Sequence, residues 1–159
     1  MSAIKYTGLK KLLLPVLLLI FFSCHEKESK AGHQNPNEII SVSYSDIGGH
    51  LGNYRIVKVT EDSILAEQGI TKKKIHRAWK SAISRQTWKR LTSTIDVKTL
   101  DRIKSSPSQQ SVDGLDETFQ IRTSKKYHAY VNAFADTAHY EQLKKLKDQI
   151  QALLPKEYN

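Results

Sequence analysis

The hydrophobic pattern of the chain changes its period several times, and each change predicts a different element. From residue 39 apolar and polar residues alternate, which is typical of half-buried strands, and we predict strands over 39–45, 54–60 and 63–68. Residues 46–53 include three glycines, which provide the backbone freedom that a chain reversal needs. This part of the chain therefore predicts an antiparallel β-meander.

The pattern over 71–83 fits two elements. Ile75, Arg77 and Trp79 alternate as in a strand, whereas Ile75, Trp79, Ala82 and Ile83 share one face of a helix. We predict a strand here, with a helix as the alternative, so the meander has three or four strands.

After this segment the apolar residues recur every three to four positions, as on one face of a helix. Ser84 is a typical N-cap for a helix that runs to about residue 95, and Asp96 can cap a shorter helical segment after it. A polar loop over 104–114 separates these helices from a predicted hairpin, whose strands lie around 119–122 and over 127–134.

The last segment predicts an amphipathic helix. Asp136 or Thr137 caps it, Tyr140 and later apolar residues recur at helical spacing, and Pro155 ends it. The sequence thus predicts one α+β domain over 39–155, with an antiparallel sheet formed by the meander and the hairpin, and with helices packed on one face.

The segment before this domain has the layout of a secretory signal peptide. Lys5, Lys10 and Lys11 precede an apolar run from Leu12 to Phe22, which is too short to span a bilayer. We therefore assign residues 1–23 to a signal peptide and expect the protein to be exported.

The residues at the end of that run carry a more specific signal. Ser23-Cys24 resembles the lipobox of bacterial lipoproteins, although both positions before Ser23 are phenylalanine. Cys24 is the only cysteine of the chain, so no internal disulfide can use it. The resemblance implies that Cys24 carries diacylglyceryl and acyl chains, such as palmitate, that anchor the protein to a membrane. Residues 24–38 would then form a disordered tether, since residues 25–38 contain no large apolar side chain.

Composition adds a moderate basic charge. The chain has 159 residues and a formal net charge of +9, with lysine groups at 72–74, at 125–126 and around 144–147. Outside the cytoplasm such groups favour an acidic protein, anionic lipids or lipopolysaccharide phosphates rather than nucleic acid. The alternative is that these lysines only solvate the surface.

One polar cluster offers candidate metal ligands. Asp113, Asp116 and Glu117 lie close in sequence, and the hairpin could bring Asp136 towards them, which would offer oxygen ligands to a hard cation such as calcium. The spacing differs from that of an EF-hand loop, and Asp113-Gly114 is also typical of an ordinary turn.

No motif of nucleophilic catalysis, phosphate binding or dinucleotide binding is present in the sequence. The glycine-rich segment with Gly48, Gly49 and His50 lies between two predicted strands, where those fingerprints do not occur. We interpret it, together with Gln109 and Gln110 of the polar loop, as candidate contact segments on a rigid sheet.

From Trp88 onward the order of motifs resembles small lipoproteins of unknown function from Gram-negative bacteria. The resemblance lies in Trp88-x-x-Leu91, the loop ending at Asp113-Gly114, the segment 116–121, and then Val131-Asn132 with Asp136. It implies a compact domain at the cell envelope, most simply at the outer membrane, and it names no catalytic residue and no cofactor beyond the lipid.

The function expected from the sequence is a non-enzymatic binding module anchored through Cys24, with an envelope protein as partner, as in an inhibitor or immunity protein. Two alternatives remain open. One is a metal-dependent enzyme or cation sensor that uses Asp113, Asp116, Glu117 and Asp136. The other is a binder of lipid or lipopolysaccharide, which would show a basic rim around an apolar cleft.

Overall fold

The computed structural model describes Asn35 and residues 37–158. The signal peptide, Cys24 and most of the predicted tether lie outside these residues. In chain order the strands and helices are β1 Ile39–Gly48, β2 Asn53–Thr60, β3 Ser63–Ile70, β4 Ile75–Ala82, α1 Arg85–Thr92, β5 Leu115–Thr123, β6 Tyr127–Val131 and α2 Tyr140–Gln151.

The strands form one antiparallel sheet with the order β4-β3-β2-β1-β5-β6. The predicted α+β class, the meander, the hairpin and the C-terminal helix are therefore confirmed. The ambiguous segment supplies the fourth strand of the meander: β4 follows a single 3-10 turn at Thr71–Lys73. The hairpin joins the meander through β5, which pairs with β1.

One face of the sheet carries the apolar core. Neighbouring strands bring fully buried side chains into register, as in the row of Val57, Tyr44 and Phe119. Trp88 and Leu91 of α1 join this core from above, as do three side chains of α2: Leu143, Leu146 and Ile150. The opposite face presents mainly polar side chains, because side-chain direction alternates along a strand.

The start of β1 departs from the predicted alternation. The pairing of β1 with β5 shifts register between Ile39 and Ser41, which is the signature of a β-bulge. Ile39 is therefore buried and Ile40 is exposed, whereas the sequence pattern placed Ile40 on the same face as Val42.

Both helix starts are set by local polar groups. Ser84 caps α1 as predicted, because its Oγ accepts the backbone N–H of Thr87 at 3.1 Å. At α2 the predicted cap is displaced: the helix begins at Tyr140 with His139 at the N-cap position. Asp136 instead organises the turn before the helix, where its carbonyl accepts the N–H of Tyr140 at 2.9 Å.

Candidate binding surface

Three connections meet at one end of the sheet and are hydrogen-bonded to each other. The N–H of Gly49 donates to the carbonyl of Gly114 at 3.0 Å. The N–H of Thr71 donates to the carbonyl of Gly52 at 2.9 Å, and that of Lys72 donates to Leu51 at 3.2 Å. We call the segments 48–52, 71–74 and 109–115 together the loop tip. Segments from three distant parts of the chain thus form one surface.

Glycine is required where two of these segments touch. Gly48 has a φ of +145°, and a Cβ at this position would lie 2.2 Å from the carbonyl oxygen of Gly114. A Cβ on Gly114 would in turn lie 2.5 Å from the Cβ of Gln109. The contact between the segments therefore depends on the absence of a side chain at Gly48, and the tight turn from Gln109 to Gly114 depends on its absence at Gly114.

The loop tip exposes apolar side chains on a backbone that is held in place. Val112 is 78% exposed and Leu115 is 52% exposed. Beside them His50 Nδ1 faces Asp113 Oδ2 at 3.9 Å, so the two segments also approach each other through exposed polar groups. Isolated exposed apolar residues are common on proteins, but a pair on a rigid loop is typical of contact surfaces.

The structure brings together the residues that the sequence offered as contact candidates. Gly48, Gly49 and His50 belong to one segment of the loop tip, and Gln109 and Gln110 belong to another. The two glutamines use some of their polar groups inside the protein. The amide of Gln110 donates to the carbonyl of Ile47 at 3.3 Å, and the carbonyl of Gln109 accepts the N–H of Gly114 at 2.9 Å.

The four carboxylates that were candidate metal ligands occupy different places. Asp113 is exposed on the loop tip, and Asp136 binds the backbone N–H of Lys104 at 2.9 Å. Asp116 and Glu117 are adjacent in β5, so their side chains leave opposite faces of the sheet. Within residues 37–158 no group of three or more His, Cys, Asp or Glu side chains is arranged to hold a metal ion.

Asp116 is instead part of a buried polar network. Its carboxylate accepts the hydroxyl of Ser108 at 2.5 Å, the N–H of Gln109 at 2.8 Å and the side-chain amide of Asn132 at 2.7 Å. Burial alone would raise the pKa of Asp116, but these hydrogen bonds outweigh it and hold the pKa below its usual value. The network fixes the start of β5 and the last part of the polar loop.

Asn132 is the centre of this network. It is fully buried with a φ of +50°, and its side-chain amide donates to the carbonyl of Pro107 at 3.0 Å as well as to Asp116. Its Oδ1 accepts the N–H of Glu117 at 2.9 Å, and its own N–H donates to the carbonyl of Glu117 at 2.8 Å. Asn132 thus closes the edge of β5 where β6 ends.

A second charged cluster lies on the helix-covered face of the sheet. Lys147 of α2 donates to Glu117 at 2.5 Å, and the hydroxyl of Tyr140 donates to the other oxygen of the same carboxylate at 2.7 Å. Burial lowers the pKa of Lys147, but the hydrogen bonds to Glu117 and Tyr44 more than compensate and raise it. Burial and the bond to Glu117 raise the pKa of Tyr140.

This cluster continues to Asp46 and Arg55. Arg55 donates to Asp46 at 2.8 Å and to the hydroxyl of Tyr44 at 3.1 Å, while that hydroxyl donates to Asp46. The Nζ of Lys147 lies 4.8 Å from the centre of the Tyr44 ring. The sequence offered Glu117 only as a candidate metal ligand, and it did not single out Asp46, Arg55 or Lys147. The alternation of side chains places Asp46 on the same face as Tyr44, and Glu117 on the same face as Phe119.

The histidines of the described residues contact carboxylates or a tyrosine. His139 lies 3.1 Å from Asp136, His128 lies 3.4 Å from Asp101, and His76 accepts from or donates to the Tyr54 hydroxyl at 2.7 Å. Between residues 37 and 158, no serine or threonine hydroxyl hydrogen-bonds a histidine.

The lysine groups are dispersed rather than joined into one patch. Lys147 lies in the internal cluster and Lys126 pairs with Asp101. Around Lys125 the uncovered face forms a groove of about 440 Å³ that is also lined by Ser41, Ser43, Lys58, Gln120, Arg122 and Tyr127. The rim of this groove is basic and its floor is polar.

Comparison with known proteins finds no family model that matches the chain and no curated protein that matches it. The fold and the loop tip together define the class of this protein as an α+β domain with an open six-stranded sheet that presents loops at one end. Among the described residues no helix has the length and apolar character needed to cross a membrane.

Proposed function

We propose that the protein is a membrane-anchored extracytoplasmic lipoprotein and a binding module, which contacts an envelope protein through the loop tip. The observation that carries the binding role is the hydrogen-bonded union of 48–52 and 109–115, with Val112 and Leu115 exposed on it. A surface that is already rigid loses little conformational entropy when it binds.

The anchoring part of the proposal comes from the sequence. Cys24 follows a basic and then apolar segment, and two or more acyl chains on it would hold the protein durably at a membrane. A flexible chain over 25–38 would have a typical end-to-end distance of about 20 Å and an extended reach of about 50 Å. The domain would therefore search for partners close to the membrane surface, which raises their effective concentration.

The charge of the chain indicates the kind of partner. Without the three lysines of residues 1–23 the chain keeps 22 basic and 16 acidic residues, a net charge of +6. This charge and the cations at 72–74 on the loop tip favour a protein whose contact surface combines apolar and acidic groups. The same positive charge disfavours association between two copies through this end of the sheet. We therefore propose a different protein of the envelope as the partner.

Quantitative crosslinking in the native strain tests the binding role. The variant carries Val112→Asp and Leu115→Asp, and the matched control carries Tyr127→Asp and Phe134→Asp, which change two exposed apolar side chains outside the loop tip and alter the net charge equally. We expect the double variant to lose about tenfold or more of the crosslinked partner and the control to keep it, because charges at the centre of an apolar contact are poorly tolerated. Equal recovery with all three proteins would refute the role of the loop tip.

Fractionation of the same cells tests the anchor separately. Wild type is expected in the membrane fraction with a lipid-sized increase in mass at Cys24, and Cys24→Ala is expected in the soluble fraction. An unmodified Cys24 in the wild-type protein would contradict the anchor and leave the loop-tip proposal standing.

A second candidate function is the binding of anionic lipid headgroups in the groove on the uncovered face. Lys58, Arg122 and Lys125 surround its polar floor, and no carboxylate lines it. Retention of the Cys24→Ala protein on vesicles that contain phosphatidylglycerol, but not on phosphatidylcholine vesicles, would support this function if adding Arg122→Glu abolishes it. Equal retention by the Arg122→Glu variant would exclude the groove.

A further inference from the structure

The strand β4 is an edge of the sheet and has β3 as its single neighbour. Pairing between them runs without a register shift from Ser63–Ala82 to Ile70–Ile75. The strand contains no proline, and every one of its eight residues is at least partly exposed. In the described part of the chain, the backbone groups of β4 that face away from β3 therefore have no partner strand.

The opposite edge of the sheet is protected. Strand β6 has five residues, and the N–H of Ser106 donates to the carbonyl of Val131 at 2.9 Å. The Oγ of Ser105 accepts the N–H of Val131 at 3.0 Å, so the polar loop covers the end of this strand. Natural sheets commonly cover or shorten their edges in this way, which makes the long, regular edge at β4 distinctive.

The segment around β4 carries a concentrated positive charge. Residues 71–85 contain six lysines and arginines and no acidic residue. Arg85 pairs with Glu61 at 2.9 Å, whereas the other five form no ion pair with a carboxylate in the residues that the structure describes. Arg77 and Lys80 point to opposite faces of the sheet, because they are three positions apart on one strand.

Acidic groups beside this strand are few. Glu67 of β3 lies opposite Ala78 in the register, and Asp62 at the β2–β3 turn accepts hydrogen bonds from Thr60 and Ser63. Glu157 of the C-terminal 3-10 turn is also near, because its carbonyl accepts the side-chain amide of Gln68, the partner of Arg77 in the register, at 2.6 Å. The positive charge of β4 and of the preceding turn therefore exceeds the negative charge next to it. Two copies paired edge to edge through β4 would bring these cations together, and that repulsion disfavours self-association.

We propose that β4 is a site of strand addition that takes an acidic, extended segment of a partner protein as a seventh strand. The backbone of β4 would supply the hydrogen bonds, and acidic side chains on both faces of the added strand would meet Arg77 on one face and Lys80 on the other. This site is separate from Val112 and Leu115 and does not depend on the function proposed for the loop tip.

The test uses the full-length protein in detergent micelles and a labelled peptide that repeats the sequence threonine, glutamate, glutamate, threonine, which places glutamates on both faces of a strand. One control peptide has the same sequence with all of its backbone amides N-methylated, so that it keeps its charge but cannot donate ladder hydrogen bonds from either edge. Another control peptide has lysine in place of glutamate. Binding is followed by fluorescence anisotropy, and hydrogen exchange of the amides in 75–82 is followed by mass spectrometry.

The acidic peptide is expected to bind and to slow hydrogen exchange in β4. The N-methylated and lysine peptides are expected to bind about tenfold more weakly or worse. A protein with Arg77→Glu and Lys80→Glu should lose binding about tenfold or more, and one with Lys144→Glu and Lys145→Glu should keep it with the same change in net charge.

Three results would overturn the proposal. Equal binding of the N-methylated peptide would show charge attraction without strand addition. Equal loss of binding in the variant of Lys144 and Lys145 would show a dependence on overall charge alone. Absence of binding, or binding that does not slow hydrogen exchange in 75–82, would show that β4 does not accept an added strand.

Discussion

Replacement of Asn132 by alanine is expected to destabilise the domain by about 3 kcal/mol, because this fully buried side chain joins three separate parts of the chain. The substitution removes two donors, to Pro107 and to Asp116, and the acceptor of the Glu117 N–H. The polar loop then keeps only the bonds of Ser108 and Gln109 to Asp116 as its side-chain attachment to the start of β5.

The magnitude follows from what the substitution leaves behind. A lost hydrogen bond to a carboxylate costs about 1.5 to 3 kcal/mol, and an unsatisfied buried N–H costs about 1 to 3 kcal/mol, with partial relief from relaxation. Alanine at the left-handed φ of Asn132 costs about 1 kcal/mol more. Asn132→Gly avoids the backbone term and is therefore expected to be about 1 kcal/mol more stable than Asn132→Ala.

A third variant separates charge from geometry. Asn132→Asp keeps the shape and tolerates the backbone conformation, but it places a carboxylate next to Asp116, where the amide nitrogen now lies 2.7 Å from Oδ1. We expect it to be less stable than Asn132→Ala at pH 7. The order should reverse at low pH, because protonation of one carboxyl removes the repulsion and provides a donor.

Urea unfolding, followed by the fluorescence of Trp79 and Trp88, measures these differences. A loss below about 1 kcal/mol for Asn132→Ala would refute the view that this network holds the polar loop to the sheet. Equal stabilities of the alanine and aspartate variants at pH 7 would refute the assignment of the 2.7 Å contact to the amide nitrogen.

Further predictions concern the two polar clusters and the loop tip. Since the folded-state pKa of Asp116 lies below its ordinary value of 3.8, its stabilisation is complete above that value and is lost as pH falls through the folded-state pKa. Urea unfolding from pH 5 to 2 should therefore show a shallower loss for Asp116→Asn than for wild type, and equal slopes would contradict this. Lys147→Met should cost about 2 kcal/mol in thermal unfolding because it leaves Glu117 without its cation, and adding Glu117→Gln should recover most of that loss. Gly48→Ala should cost about 2 kcal/mol or more, because its Cβ would lie 2.2 Å from the Gly114 carbonyl; an unchanged urea midpoint would refute the close approach.

Much of the fold could be predicted because local patterns agree with the final structure. Alternation marked the strands, and Ser84 marked the start of α1. The predictions were wrong at positions where contacts between distant parts of the chain determine the structure. The bulge that exposes Ile40 depends on pairing with β5, and β6 ends at Val131 because Asn132 leaves the ladder to bind Glu117 and Asp116.

The candidate surface was predictable in part. The sequence offered the segments 48–52 and 105–114 as contact loops, but their union follows from the pairing of β1 with β5, which alternation alone does not specify. For the same reason the charged cluster around Glu117 was missed. The register places Asp46 opposite Glu117, and only the position of α2 brings Lys147 to that pair.

Photo-crosslinking in intact cells tests the binding-module proposal most directly. A photoreactive amino acid is introduced at Val112, and the same amino acid at Tyr127 serves as the control on the hairpin. The account predicts a discrete adduct with one envelope protein from position 112, a much weaker adduct from position 127, and loss of the adduct when Cys24→Ala releases the chain from the membrane. The absence of an adduct from position 112, or the same adduct at equal yield from both positions, would contradict it.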